Sequence, residues 1–511
     1  MRIYTLTRII VVSGFLFSQV FGDSSFYSRS NKDRIFKANK DESAKDFQTE
    51  QELKDFIEEI IQQSQVPGLS ISVAKNQSIV WEAYFGHANI GSDILVDENT
   101  MFILSSVSKT VTATALMQLY ERGLFELNDD IDAYLPFEVN HPNYPSASIS
   151  FKMLLTHTSG IKDNWGVMPY YNGDSDLELG YYLEQYLVPG GQFYGASTNF
   201  TSGIPGSNYS YSNIGAALIG LLVEEISGQE FSTYCKQQIF EPLGMENSSW
   251  FLSEIDNLDQ VALPYVLQGG SGSTCFEIGC GVYDESNPCF CDSACMYYGD
   301  CCADYDDVCG EDGTGDSGII PLAQDHYGYS DFPSGQLRST SKDLAKFMAA
   351  VMNNGIYGGV RILESETVET IRTIYYPFIS STQGLIWYYK NEDGRNLFGH
   401  NGGDIGSLTE MFISFSDDLG VVVLSNSSSY NAVIEIERAV FSFAEQMNFS
   451  LFGDINLDGS VDILDVVVLV GMVLENDYSL ESDTNQDGAL DVLDIIIIVN
   501  VIIGENLKIE D

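Results

Sequence analysis

The chain has 511 residues, 44% of them hydrophobic, enough to bury a large core and hold more than one domain. Its 73 acidic residues against 24 basic ones leave a formal net charge of −49, which argues against nucleic-acid or anionic-membrane partners and suits a saline or calcium-rich medium. The excess is concentrated: residues 271–316 carry 11 Asp and Glu and no Lys or Arg, and residues 451–511 carry 14 with one Lys.

The N-terminus places Arg2 and Arg8 before the apolar run IIVVSGFLFSQVFG, which ends at the small Gly22. This pattern predicts a secretory signal over residues 1–22, followed by a linker over 23–48. No later run is long and apolar enough to span a membrane, so an extracellular location is expected. Residues 69–75 and 78–84 then read as strands.

Ser106 opens the run SVSKTVTATALMQLYERG, where Val111, Ala115, Leu116 and Leu119 fall near helical spacing and Gly123 ends the pattern. On a helix, residues i and i+3 share a face, which puts Lys109 one turn beyond Ser106. A serine hydroxyl is a poor nucleophile until a neighbouring base takes its proton. A lysine can be that base where desolvation lowers its pKa. At a first helical turn the Ser106 N–H also points towards any oxyanion that forms. Residues 161–208, rich in Tyr, Gly and Asn, are expected to shape a pocket.

Tyr211-Ser-Asn213 follows a Gly/Pro/Ser/Asn-rich segment and precedes a helix that should end at Gly228. Side chains on such a loop can face a cleft. A phenol there can relay a proton, and Asn213 can hold Lys109 or a substrate carbonyl. His400-Asn-Gly402 lies between Leu397-Phe398 and the strand-like TEMFISF. His400 can bind an anionic substrate group or pass a proton, while Gly402 and Gly403 let the backbone approach a ligand closely. Each motif has a decoy: Ser339-Thr-Ser-Lys342 for the first, Tyr170-Tyr-Asn172 and Tyr389-Lys-Asn391 for the second, and His326-Tyr-Gly328 for the third. The first of these reads better as a capping box, because Thr340-Ser-Lys-Asp343 precedes LAKFM. Residues 409–415 and 419–425 read as strands and 433–446 as a closing helix.

Eight of nine cysteines fall in one stretch: Cys275, Cys280, Cys289, Cys291, Cys295, Cys301, Cys302 and Cys309. So short a stretch cannot build its own core. In an exported chain these read as four disulfides with 105 possible pairings, and the stretch contains no His to favour a metal cluster. Cys235 lies apart and reads as a buried free thiol. Asn76, Asn199, Asn208, Asn247, Asn426 and Asn448 each head an N-x-S/T triplet, a glycosylation acceptor in a eukaryotic host.

The C-terminal region repeats. Asp454-Ile-Asn-Leu-Asp-Gly-Ser-Val-Asp-Ile-Leu-Asp465 returns as Asp483-Thr-Asn-Gln-Asp-Gly-Ala-Leu-Asp-Val-Leu-Asp494, 29 residues later (483 − 454). Oxygen-bearing positions 1, 3, 5, 9 and 12, a Gly at 6 and a carbonyl at 7 fit an EF-hand loop for Ca²⁺. The expected ligands are Asp454, Asn456, Asp458, Ser460, Asp462 and Asp465, then Asp483, Asn485, Asp487, Ala489, Asp491 and Asp494, with Ser460 and Ala489 acting through their carbonyls. Two Ca²⁺ ions are therefore expected, and no catalytic cofactor. Each loop runs into an apolar helical run, VVVLVGMVL or IIIIVNVII.

The order S-x-x-K, Y-x-N, H-x-G resembles the serine β-lactamase/penicillin-binding-protein family, in its class C, DD-peptidase and esterase branch. VPGL, LLTHTSG, IPGSNYSYSN, FEPLGM and SGQLRSTSKDLAKFM strengthen the likeness, which covers roughly residues 49–450 outside one insertion. The resemblance implies an α+β fold: an antiparallel sheet flanked by helices, with a helical subdomain carrying Tyr211. It implies Ser106 as nucleophile, Lys109 as activator, Tyr211 as general base and acid, Asn213 as a positioning group, and the N–H groups of Ser106 and Gly403 as oxyanion hole. Many β-lactamases carry Lys where this chain has His400, which favours peptidase or esterase chemistry.

Residues 273–311 resemble a somatomedin B domain, which implies the pairings Cys275–Cys291, Cys280–Cys309, Cys289–Cys302 and Cys295–Cys301 and a protein-binding role. Residues 451–504 resemble a dockerin, an all-α module that implies a cohesin-like or other extracellular protein partner. The expected activity is hydrolysis of a small ester or D-amino-acid peptide or amide through an acyl-enzyme. The alternatives are a catalytically weak protein docked in an extracellular polysaccharide-degrading assembly, and a true β-lactamase.

Overall fold

The computed structural model describes residues 47–75, 78–268 and 320–446 and, towards the C-terminus, 453, 455–456, 461–475, 478–479, 482–484 and 489–503. The expected signal segment, nearly all of the linker and all eight clustered cysteines lie outside these residues.

The sheet that carries the site has seven strands. They are β1 (Gly68–Lys75), β2 (Ser78–Asn89), β3 (Ile94–Leu95), β4 (Tyr388–Glu392), β5 (Arg395–Asp404), β6 (Ser407–Ser414) and β7 (Leu419–Ser425). Their order is β4-β5-β6-β7-β1-β2-β3, and every neighbouring pair is antiparallel. The N- and C-terminal parts of the fold therefore meet at the centre, where β1 pairs with β7 from Leu69–Ser425 to Lys75–Leu419.

Alternation along the strands sets the layers. Leu69, Ile71 and Val73 join Val421 and Val423 in a core under helices α1 (Glu50–Gln63) and α5 (Tyr430–Gln446). Phe47 packs in this core against Phe56, so at least one residue of the expected linker belongs to the folded core. The intervening Ser70 and Ser72 face the other side, where both hydroxyls hydrogen-bond to Ser341 at the start of α4 (Ser341–Met352). That side holds the larger core, with Met411, Ile413, Val422 and Leu424 from the sheet packed with α2 (Ser108–Glu121), α3 (Asn213–Ser227) and α4. The expected antiparallel sheet flanked by helices is observed.

Helix α2 is buried at every position from Ser108 to Leu119, so it is enclosed on all sides although Ser108, Lys109, Thr110, Thr112, Thr114 and Gln118 are polar. Two of its hydroxyls are satisfied on carbonyls, Thr110 on Val107 and Thr112 on Ser108 and Pro333, while the Thr114 hydroxyl is buried without a partner among the described residues. Asn199 and Asn426 are fully buried and donate to the carbonyls of Tyr186 and Phe193 and of His87 and Ala88. These two triplets are therefore structural, which corrects their reading as glycosylation acceptors. Cys235 is a buried free thiol. Tyr265–Gln268 and Ile320–Ala323 pair as a two-stranded sheet, so the chain departs towards the cysteine-rich stretch and returns at neighbouring points. Among the described residues no helix is long and apolar enough to cross a membrane.

Candidate active site

Ser106 does not sit in the α-helix itself. It lies in a single 3₁₀ turn, Ser105–Val107, that feeds α2 at Ser108. Ser105 takes a positive φ of 49°, an uncommon conformation for a residue with a Cβ. The sheet holds it there. The Ser105 hydroxyl donates to Ser407, Ser407 donates to the Ile103 carbonyl at 2.8 Å, and Thr409 donates to the Leu104 carbonyl at 2.8 Å. Strain confined to the residue before a candidate nucleophile, and over-determined by its neighbours, is typical of a functional turn.

Lys109 Nζ lies 3.0 Å from Ser106 Oγ and donates to the Ser334 carbonyl at 2.6 Å. The lysine is only 1% exposed, and burial lowers its pKa to about 7 against the opposing pull of Asp163, Asp331 and Asp404. Burial also raises the Asp331 pKa to about 7, although its carboxylate accepts the Ser334 hydroxyl. A neutral amine is thus available near pH 7, which is what proton abstraction from a serine requires.

Tyr211 is presented by the loop before α3. Its hydroxyl is buried with no hydrogen-bond partner among the described residues. Burial raises the phenol's pKa, and the Ser106 hydroxyl is the neighbour that draws it back. Lys109 Nζ stands 4.9 Å from the ring centroid. The loop is fixed by a carboxylate that the sequence reading missed. Asp163 accepts the N–H groups of Asn213 and Ile214, the Asn213 side-chain amide and the Ser212 hydroxyl, all at 3.0–3.1 Å. It anchors the N-terminus of α3, where a negative charge is favourable. Asn213 is thereby committed to Asp163 through its amide nitrogen. The helix ends at Gly228 in the left-handed region, as the sequence predicts.

His400, Gly402 and Gly403 lie on β5, paired with Met411, Thr409 and Leu408. A Cβ on Gly402 would stand 2.5 Å from the Leu104 carbonyl and 2.9 Å from Ser106 N, so glycine alone lets β5 pass against the nucleophile turn. This brings the strand bearing Gly403 alongside the Ser106 N–H. His400 Nδ1 meets the Asn401 carbonyl at 2.5 Å, which makes it the protonated nitrogen and leaves Nε2 as an acceptor. Burial, reinforced by Lys109, lowers the His400 pKa to about 3. At neutral pH it offers a lone pair and no positive charge.

The decoys settle elsewhere. Thr340 caps α4 by accepting the Asp343 N–H, and Lys342 pairs with Glu82 at 3.1 Å. Tyr389 packs on Phe398. His326 lines a cavity of about 400 Å³ with Asn172, Gly173, Leu252 and Asp325 that contains none of the motif side chains. Tyr170 packs edge-on against Tyr327 and Tyr329, and it also donates to Asp404 at 2.7 Å, one residue beyond Gly403.

In the C-terminal region, Asn456, Asp462, Asp465, Asp483, Ala489, Asp491 and Asp494 are described, whereas Asp454, Asp458, Ser460, Asn485 and Asp487 lie outside the described residues. Asp465 accepts the N–H groups of Ile455, Asn456 and Asp462. Asp494 likewise accepts those of Thr484 and Asp491. Each carboxylate closes its own loop. The donor set is all oxygen and suits a hard cation, although among the described residues no group of three acidic or histidine side chains is gathered for a metal.

Comparison with known proteins agrees with this fold. The chain is 26% identical over 226 residues to Protein flp of Staphylococcus aureus (strain MRSA252), covering 44% of this chain and 42% of that protein. It is 28% identical over 199 residues to penicillin-binding protein 4* of Bacillus subtilis (strain 168), covering 39% and 41%. The matches thus span less than half the length of these relatives. Among solved structures, the D-amino acid amidase from Ochrobactrum anthropi SV3 complexed with D-phenylalanine shares the fold, with a TM-score of 0.54 and 20% identity over 78% of this chain and 100% of that one. The family model described as Beta-lactamase matches residues 53–443, most of the chain, and the protein belongs to that family.

Proposed function

We propose that this protein is an exported serine hydrolase that cleaves an ester, or a D-amino-acid peptide or amide, through an acyl-enzyme on Ser106. The observation that carries the reading is the 3.0 Å approach of a buried lysine, with its pKa near 7, to the Ser106 hydroxyl. Neutral Lys109 takes the Ser106 proton as Oγ attacks the acyl carbon. The N–H groups of Ser106 and Gly403 receive the oxyanion. Tyr211, kept protonated by burial, relays a proton to the leaving group, and water then repeats the sequence to release the acid. The fold shared with a D-amino acid amidase supports keeping amides beside esters as candidates.

The electrostatics favour neutral or cationic substrates over β-lactams. His400 is neutral, so β5 presents no fixed cation to a substrate carboxylate, and Asp163, Asp331 and Asp404 all act on Lys109. Turnover of p-nitrophenyl esters or D-amino-acid amides should exceed nitrocefin turnover; the reverse order would make β-lactamase the better name. Inactivity on all three would favour the binding-protein alternative.

A second reading concerns the C-terminal repeat. The loop-closing bonds of Asp465 recur at Asp494 with the sequence offset of 29 preserved (484 − 455 and 491 − 462). This supports two equivalent Ca²⁺ loops, in which the cations would relieve repulsion among the aspartates. The helices α6 (Ile463–Glu475) and α7 (Val492–Ile503) pack on each other, with Leu469 and Ile498 buried, but leave Ile463, Val467, Leu474 and Val492 exposed, which supports an extracellular protein partner. Titration calorimetry should find two calcium sites, and EGTA should lower helix content while hydrolysis persists. A C-terminal region equally helical in EGTA would contradict this reading. The eight clustered cysteines are proposed to form four disulfides, checked by peptide mapping without reduction.

A further inference from the structure

The residues on either side of Tyr211 are tied to one residue that the mechanism above does not use, Ser210 to its backbone and Ser212 to its side chain. The His157 carbonyl accepts the Ser210 N–H at 2.7 Å, and its Nδ1 accepts the Ser212 N–H at 3.4 Å. Its ring lies against the Tyr211 ring, with centroids 4.4 Å apart and planes at 36°. Lys109 Nζ, 4.9 Å from the ring centroid, and the His400 ring, 6.3 Å away, also flank the Tyr211 ring.

His157 occupies this place under two penalties. Its φ is +53°, in the left-handed region that a bulky side chain seldom adopts. Acceptance at Nδ1 fixes the neutral tautomer with the proton on Nε2, and that N–H is buried without a partner among the described residues. Asparagine would fit the backbone better, and phenylalanine would fill the space without an orphaned donor. Neither supplies both an acceptor for Ser212 and a flat face for Tyr211.

We propose that His157 is a positioning residue for Tyr211, clasping its flanking backbone and its ring so that the phenol hydroxyl is held beside Ser106 for proton delivery to the leaving group. This rests on reading Tyr211 as the proton donor. The bond balance is simple: the acyl carbon–leaving-group bond breaks, the electron pair stays on the departing atom, and that atom takes the Tyr211 proton, which Lys109 then restores.

The test compares two leaving groups on one acyl group. A p-nitrophenyl ester departs as an anion and needs no proton, whereas a p-nitroanilide needs one. In His157→Phe the acylation rate on the anilide should fall about tenfold or more, with less than about threefold change on the ester and little change in KM. Adding His157→Phe to Tyr211→Phe should cause no further loss. Where His157→Phe does not fold, His157→Asn accepts the same backbone and serves in its place. Equal losses on both leaving groups, or full additivity with Tyr211→Phe, would overturn the proposal. Should wild type cleave neither compound, the hydrolase reading fails separately. Crystal structures of wild type and His157→Asn then decide: a Tyr211 ring that does not move overturns the positioning role as well.

Discussion

Ser106-Val-Ser-Lys109 and Ser339-Thr-Ser-Lys342 share one tetrapeptide pattern and have opposite fates. In the first, the serine sits in a 3₁₀ turn that continues into a buried helix, and its lysine is 1% exposed and, among the described residues, in no ion pair. In the second, Ser339 ends a short strand before the helix cap and bonds to Ser248, while the Lys342 side chain is 45% exposed and paired with Glu82. Spacing places a lysine one turn from a serine only if a helical turn, 3₁₀ or α, runs continuously through both. What makes a base is the surrounding desolvation, and that is a property of the fold.

The comparison breaks most sharply under mutation. Ser106→Ala and Lys109→Ala should each lower kcat by roughly 10³-fold or more, whereas Ser339→Ala and Lys342→Ala should stay within about twofold of wild type. Comparable losses at both sites would erase the distinction. Gly402→Ala comes next: the added Cβ pushes β5 off the Ser106 turn, and acylation should slow about 10²-fold while the protein remains folded. The pH profile sharpens the contrast further. For a neutral ester, kcat/KM should rise as pH passes through about 7 and level off above it, because the reactive form is the neutral Lys109 amine. A flat profile from pH 5 to 9 would show that another group is the base.

Stability gives the smallest effect. The Lys109 pKa is about 7 when folded and near 10.5 ordinarily. Between these values the unfolded chain holds a proton that the folded chain has lost. This residue therefore makes stability rise with pH from about 7 to about 10.5, and below pH 7 the buried charge is a full penalty. Lys109→Met should raise Tm by a few degrees at pH 6 and flatten that rise. Lys342→Met, on the surface, should shift stability by less than about 0.5 kcal/mol.

The central strands were legible because their alternation and β-branched content are strong. Residues 69–75, 78–84, 409–415 and 419–425 each fall within or almost within an observed strand, and 433–446 lies inside α5. The helix after Ser106 was legible in place, yet its start was not, because the 3₁₀ turn depends on Ser407 and Thr409, some 300 residues away. Asp163 and His157 escaped for a related reason. Nothing local marks Asp163, 50 residues before Asn213, as the cap of α3, and an LLTHTSG string shows no partner for its histidine. The titration of His400 was also invisible: a histidine between Gly399 and Asn401 gives no sign that its ring will be sealed beside a lysine. Buried Asn199 and Asn426 show the same limit, since a tripeptide pattern carries no information about burial.

The central claim is that Ser106 becomes acylated because Lys109 is a neutral base. Mass spectrometry after reaction with a fluorophosphonate probe tests it directly, with labelling rates measured at pH 5.5 and 8. The modification should map to the peptide containing Ser106, proceed at least about tenfold faster at pH 8, and vanish in Ser106→Ala. Labelling that persists in Ser106→Ala, or that proceeds equally fast at both pH values, would contradict it.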